Sequence, residues 1–159
     1  MQHYIGPLRK FQFLMIPLFG AIFFLAILIL AFRNNENLNP LFVLVDLVML
    51  GGVGIMPFLL YRNYLRHNKD YILEVEEDRF RLRTPQKSYE VKYEDISAIE
   101  EYMNTSVTPW YYCEYWVLHT PQGKLVLSSL LITRNDFFVR FPVADKLKRA
   151  HRFMPFIKE

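Results

Sequence analysis

A single cysteine, Cys113, excludes any internal disulfide and leaves the chain compatible with a reducing compartment. Only four histidines occur, His3, His67, His119 and His151, scattered without metal-ligand spacing. The six glycines form no phosphate-cradling loop. No metal, nucleotide or other cofactor is therefore expected. Charge is missing over a long stretch: residues 11 to 61 hold only Arg33, Glu36 and Asp46. What remains, in 159 residues and 19.1 kDa, is room for one small domain plus membrane helices. A pI near 9.0 would suit nucleic acid. However, the region from Lys69 onward has 14 acidic and 14 basic residues, too balanced for a nucleic-acid face. The positive excess sits instead at the flanks of the apolar runs.

Two such runs are present. FLMIPLFGAIFFLAILILAF, residues 13 to 32, carries no charge over 20 residues, which matches the roughly 20 residues a helix needs to cross about 30 Å of hydrocarbon. A cleavable signal peptide would have a shorter apolar region, and no small-x-small site follows Phe32. The second run is LFVLVDLVMLGGVGIMPFLLY, residues 41 to 61. Between them RNNENLNP is a short run of turn formers, with Pro40 suited to a helix start, so a tight antiparallel hairpin is expected. Arg9 and Lys10 precede the first span, and Arg62, Arg66 and Lys69 follow the second, whereas the connection has only Arg33. That bias puts both termini in the cytoplasm. The segment YRNYLRHN should prolong the second span as helix.

Asp46 lies five residues into the second span, about 7.5 Å below its outer edge. An intramembrane carboxylate is by default a candidate ion or proton relay. A relay needs partners across the membrane, and the first span has no ionisable residue. Asp46 is therefore expected to be a helix-contact residue, together with Gly51, Gly52 and Gly54, which permit close backbone approach.

From Tyr71 the apolar period becomes two. In YILEVEEDRFRLRTPQKSYEVKY a turn at Glu77-Asp78 pairs Val75 with Phe80, Leu73 with Leu82, Glu76 with Arg79 and Glu74 with Arg81. A second turn near Pro85-Gln86 pairs Phe80 with Val91, Leu82 with Tyr89 and Arg81 with Glu90. One face is then apolar throughout and the other carries a Glu74, Arg81, Glu90 rung. The stripe Arg79, Arg81, Arg83 resembles a phosphate cradle, but its facing glutamates make it a solvated salt ladder, worth little stability per pair. Residues 93 to 107 predict a turn and a fourth strand, and PWYYCEYWVLHT and KLVLSSLL a hairpin around Pro121-Gln122-Gly123. Cys113 lacks a histidine and acid arrangement and is expected in the core. Asn104-Thr105-Ser106 matches a glycosylation acceptor only outside the cytoplasm. TRNDFFVRFPVADKLKRAHRF opens with Thr133 and Asp136 at capping-box spacing and predicts a final helix with Phe137, Phe138, Phe141 and Leu147 as its apolar stripe. Pro142 must kink or restart it.

Two spans, about seven short strands and one C-terminal helix are similar to the bacterial pleckstrin-homology-like proteins of the membrane-anchored, YcxB-like type. More specific points are Tyr93-Glu94-Asp95-Ile96 leading into Ile99-Glu100, and Ser128-Ser129-Leu130-Leu131 leading into Asn135-Asp136-Phe137-Phe138. The resemblance implies an α+β membrane protein: a two-helix transmembrane hairpin (residues 1–69), then a PH-like bent antiparallel sheet or barrel (70–159) capped by a C-terminal helix. It also implies binding or scaffolding without catalysis. The first strand-to-strand loop, taken as Glu76-Glu77-Asp78, argues against phosphoinositide capture there.

A non-enzymatic module at the bacterial inner membrane is expected, docking a protein partner or its own copies. An accessory or regulatory subunit of a transporter-type or channel-type complex is the alternative. Lys146, Lys148, Arg149 and Arg152 crowd the end of the final helix, and Arg62, Arg66 and Lys69 the exit of the second span. Both groups are expected to contact anionic lipid at the membrane surface. Membrane lipids and a protein partner or homo-oligomer are the expected partners.

Overall fold

The computed structural model describes residues 2–34, 39–104, 113–142, 144–152 and 154–158. Part of the hairpin connection, Thr105-Ser106 of the glycosylation match and the start of the PWYYCEYWVLHT strand lie outside the described residues.

The chain opens with a strand that local pattern did not announce, β1 (Gln2–Tyr4). Helix α1 (Pro7–Asn34) follows. Asn39 then caps α2 (Pro40–Leu50), its side chain accepting from Leu41 N–H at 2.9 Å, and Pro40 starts the helix with its fixed φ. A π-helical turn at Gly51–Ile55 leads without a break into α3 (Met56–Asn68). The two stretches 7–33 and 40–68 are long and apolar enough to cross a membrane by length and composition. They touch through glycines. A Cβ at Gly20 would lie 2.4 Å from Val53 Cγ1, and one at Gly54 would lie 2.9 Å from Ala21 Cβ.

Asp70, at φ 63°, turns the chain from α3 into β2 (Ile72–Val75). β3 (Arg79–Arg83) and β4 (Ser88–Lys92) complete an antiparallel sheet of order β1-β2-β3-β4. Its register is the expected one: Leu73 opposite Leu82, Val75 opposite Phe80, Phe80 opposite Val91, Arg81 opposite Glu90. A 3-10 turn at Tyr93–Asp95 leads to β5 (Ala98–Asn104), then come β6 (Tyr115–Thr120) and β7 (Gly123–Ser128). The apolar faces of both sheets meet in one core, with Phe80, Leu82, Ile99, Trp116, Leu118 and Leu127 fully buried.

The C-terminal region departs from expectation. The helix α4 is only Arg134–Arg140, capped by Thr133 Oγ1 accepting from Asp136 N–H at 3.0 Å. It stops because Pro142 forces Phe141 into extended backbone (φ −99°, ψ 103°). Its aromatic face plugs one end of the core: Phe137 stacks on Trp116 at 4.4 Å and Phe141 packs on Phe80 at 5.4 Å. After a 3-10 turn (Ala144–Lys146), residues Leu147–Arg152 form β8, parallel to β5, in a second sheet of order β7-β6-β5-β8. Thus the described residues contain eight strands, the second sheet is mixed while the first is antiparallel, and the expected long cap is half helix and half strand.

A second apolar cluster covers the other face of this sheet. Leu60, Tyr61 and Tyr64 of α3 pack with Cys113, Tyr115, Leu130 and Ile157. At β6 and β7 the second sheet is consequently covered on both faces, by the first sheet within and by α3 without.

Candidate functional site

The helical hairpin is inserted between two neighbouring strands. Gln2, His3 and Tyr4 pair with Glu74, Leu73 and Ile72, so the chain leaves and rejoins the sheet at adjacent positions. Side chains from both hairpin ends then grip backbone. Asn68, fully buried at the end of α3, donates to Val126 O at 3.1 Å and accepts from Ser128 N–H at 3.0 Å. Arg9, at the start of α1, donates to Ser129 O at 2.6 Å. One turn before Asn68, Tyr64 donates to Pro155 O at 2.9 Å, and Asn63 bonds both backbone groups of Ile157. Each buried amide of this kind replaces a missing strand neighbour, because unpaired buried backbone is costly. A recess of about 330 Å³ opens beside the junction, lined by Tyr4, Lys10, Lys69, Asp70 and Tyr71.

Asp46 is buried inside the hairpin at 5% exposure, and its Oδ2 has no hydrogen-bond partner among the described residues. Gly54 lies against Ala21, whereas Gly51 faces open space; Gly52 shares the π-helical turn with both. Gly20 belongs to the same contact and carried no distinguishing sequence signal. Arg62, Arg66 and Lys69 are all exposed, spaced four and three residues apart on one side of α3 and its end.

The four C-terminal cations do not form the expected helical cluster, because β8 is a strand. Lys146 donates to the Tyr93 and Glu94 carbonyls at 3.0 and 3.2 Å. Arg149 pairs with Glu101 at 3.1 Å, and the Arg152 guanidinium stacks over Tyr102 at 4.2 Å. Lys148 is exposed. Three of the four are therefore engaged within the protein. The supposed first loop is corrected as well: Glu76-Glu77-Asp78 joins β2 to β3, and the connection from β1 to β2 is the hairpin itself.

The strongest electrostatic feature was not visible in sequence. Glu101 is fully buried and Glu114 is 3% exposed. Arg134 stands between them, 3.2 Å from Glu101 Oε1 and 3.4 Å from Glu114 Oε2. Burial foremost, with the like charge of Glu101, raises the Glu114 carboxyl to about 7 against the opposing pull of Arg134. On the outer face of the first sheet, Arg79, Arg81 and Arg83 all find carboxylates: Glu90 at 2.9 and 3.1 Å, Glu74 at 3.4 and 3.3 Å. The arginine stripe is a salt ladder.

Groups with chemical potential are few. His119 Nε2 lies 2.9 Å from Glu100 Oε1, and Tyr102 donates its hydroxyl to the same carboxylate, which holds the Glu100 carboxyl below its ordinary range. Cys113 is buried, and burial pushes its thiol up to about 12, far from the thiolate a nucleophile requires. Among the described residues no three acids, histidines or cysteines are placed to hold a metal ion.

A family model described as PH domain matches residues 2–139, hairpin included. Neither the curated proteins nor the solved structures return a match. The matched span runs from β1 to within one residue of the end of α4, thus taking in both sheets as well as the inserted helices. PH-like domains are binding or scaffold modules and are generally non-catalytic. By this match over most of its length, the chain belongs to the PH domain family.

Proposed function

We propose that this chain is a membrane-anchored PH-like binding module that docks a protein partner at the cytoplasmic surface of a bacterial inner membrane. The carrying observation is the placement of the hairpin between β1 and β2. Strands paired residue for residue lie about 5 Å apart, so both ends of the hairpin must emerge on the same side of the bilayer. The Lys/Arg bias at Arg9, Lys10, Arg62, Arg66 and Lys69 makes that side the cytoplasm. Residues 1–69 serve as the anchor, with β1 contributed to the sheet, and 70–159 as the displayed domain.

The domain is held rather than tethered. Arg9, Asn68 and the α3 cluster fasten it to the point where the helices leave the bilayer. Arg62, Arg66 and Lys69 then face the headgroups, where each cation near an anionic leaflet gains about 1 kcal/mol. Strands β6 and β7 of the second sheet are covered by α3, so the salt-laddered face of the first sheet and the edge at β8 are the surfaces presented to a partner. The burial of Asp46 inside the hairpin removes it from any lateral docking surface.

In-cell photo-crosslinking tests this. A photoreactive residue replacing Arg83 or Lys148, both exposed, should give a discrete protein adduct in the membrane fraction. The proposal fails if neither position yields a protein adduct, or if the full chain fractionates away from membranes.

A further inference from the structure

Two cavities on the hairpin fall along one seam. In α1, Lys10, Leu14, Pro17 and Ala21 recur at spacings of four, three and four, which puts them on one face of the helix. In the helix running back beside it, Ile55, Phe58, Arg62, Leu65 and the capping Lys69 recur at three, four, three and four, again on one face. Between these faces lies an apolar groove of about 380 Å³, lined by Leu14, Pro17 and Ala21 on one side and by Gly54, Ile55 and Phe58 on the other. Both helices are irregular at this depth: α1 contains Pro17, and its neighbour passes through the π-helical turn. Each is a usual site of helix bending. Gly54 against Ala21 closes the floor.

One turn above Leu14 and Phe58 stand Lys10 and Arg62, roughly 6 Å nearer the domain. Above them opens the junction recess, walled by Tyr4, Lys10, Leu65, Lys69, Asp70 and Tyr71. The arginines of the first sheet and Arg149 of β8 are held by carboxylates, whereas among the described residues no ion pair engages Lys10, Arg62 or Lys69. These cations outnumber Asp70, the carboxylate in the recess wall.

We infer that the seam is a binding site for a single anionic phospholipid. One acyl chain fills the groove, the phosphodiester sits between Lys10 and Arg62, and the headgroup enters the recess against Lys69. A trough that is apolar at depth and cationic above has the polarity of one lipid molecule. A partner's membrane helix would fill the trough and leave the cations unanswered. The surplus of cations over Asp70 favours a headgroup of net negative charge over a zwitterionic one. A lipid seated there touches α1, α3 and the turn into β2 at once, so it sets how the domain stands on the bilayer. The inference rests on the membrane-anchored reading and names the lipid that the anchor holds.

The test uses the full chain reconstituted in phosphatidylcholine vesicles with a trace of phosphatidylglycerol carrying a diazirine in one acyl chain. After irradiation, labelled peptides are mapped by mass spectrometry. Adducts should concentrate at residues 14–21 and 54–58, and added phosphatidylglycerol should compete where added phosphatidylcholine does not. The double variant Lys10→Gln/Arg62→Gln should lower labelling there about tenfold. Ile55→Trp, which fills the groove, should lower it as well, and Arg33→Gln at the far end of α1 should leave it unchanged. Circular dichroism confirms that each variant keeps its helices. Adducts spread evenly along both helices would overturn the site and leave only bulk lipid contact. Equal competition by phosphatidylcholine, or full labelling of the double variant, would overturn it too. Disulfide-linked dimers from Ile55→Cys in a Cys113→Ser background, with no adduct in the seam, would give the groove to a second copy instead. Flotation separates the two readings: a chain that does not float with the vesicles fails as an anchor, and an inserted chain without localised adducts fails only as a lipid site.

Discussion

Replacing Glu114 with glutamine tests the buried charge cluster through its pH dependence. The carboxyl stands at about 7 in the folded chain against 4.5 ordinarily, with burial as the main cause. A raised carboxyl value means that the folded state keeps a proton the unfolded state has already released. Stability from this group is thus fully present below about pH 4.5 and declines until about pH 7. The separation of about 2.5 pH units corresponds to about 3 kcal/mol, at about 1.4 kcal/mol for each. Glutamine keeps the shape, accepts from Arg134 and cannot titrate. Its stability relative to wild type should rise by about 2.5 kcal/mol between pH 5 and pH 8. For a chain of this size that is a relative gain of about 5–10 °C in Tm. His3, whose pKa burial lowers, works in the opposite direction, but it is common to both proteins and cancels in the difference. The assay is thermal unfolding of the full chain in detergent, followed by tryptophan fluorescence at steps across this pH range. Parallel curves for Glu114→Gln and wild type would refute the reasoning.

Arg134→Met takes the shared cation from the buried Glu101 and Glu114 carboxyls and should cost about 1–3 kcal/mol; a Tm within 2 °C of wild type, about the smallest shift a 1 kcal/mol change gives, would contradict this. Asn68→Ala orphans the Ser128 N–H and Val126 carbonyl and should cost about 1–3 kcal/mol, seen as earlier proteolysis between the hairpin and β2. Gly54→Ile forces a side chain against Ala21 and should destabilise the hairpin by about 1–3 kcal/mol, whereas Gly51→Ala, facing open space, should stay within about 0.5 kcal/mol; detergent titration of the two separates them. In a Cys113→Ser background, cysteine at Asn35 should react with an impermeant maleimide in intact cells and cysteine at Gln86 should not. The reverse pattern would invert the proposed orientation.

Features with a short-range physical signature were legible in the sequence. Hydropathy marks the two helices, since lipid-length apolar runs have few other uses. Apolar alternation together with opposed charges determines the register of β2, β3 and β4, because a one-residue slip would place Glu74 and Glu90 in the core. Proline 142 announces the end of α4 through a steric clash with its own neighbour. Only the tertiary structure decided the rest. Gln2-His3-Tyr4 is too short to show a period, and its partner strand lies some seventy residues away across the hairpin. Leu147–Arg152 has helix-forming composition yet becomes a strand, because β5 offers an open edge and edge pairing satisfies a whole row of backbone groups. Asn63, Asn68 and Glu114 look like ordinary surface residues in a sequence. Their roles come from burial beside particular backbone groups and charges, which is a property of how distant segments meet.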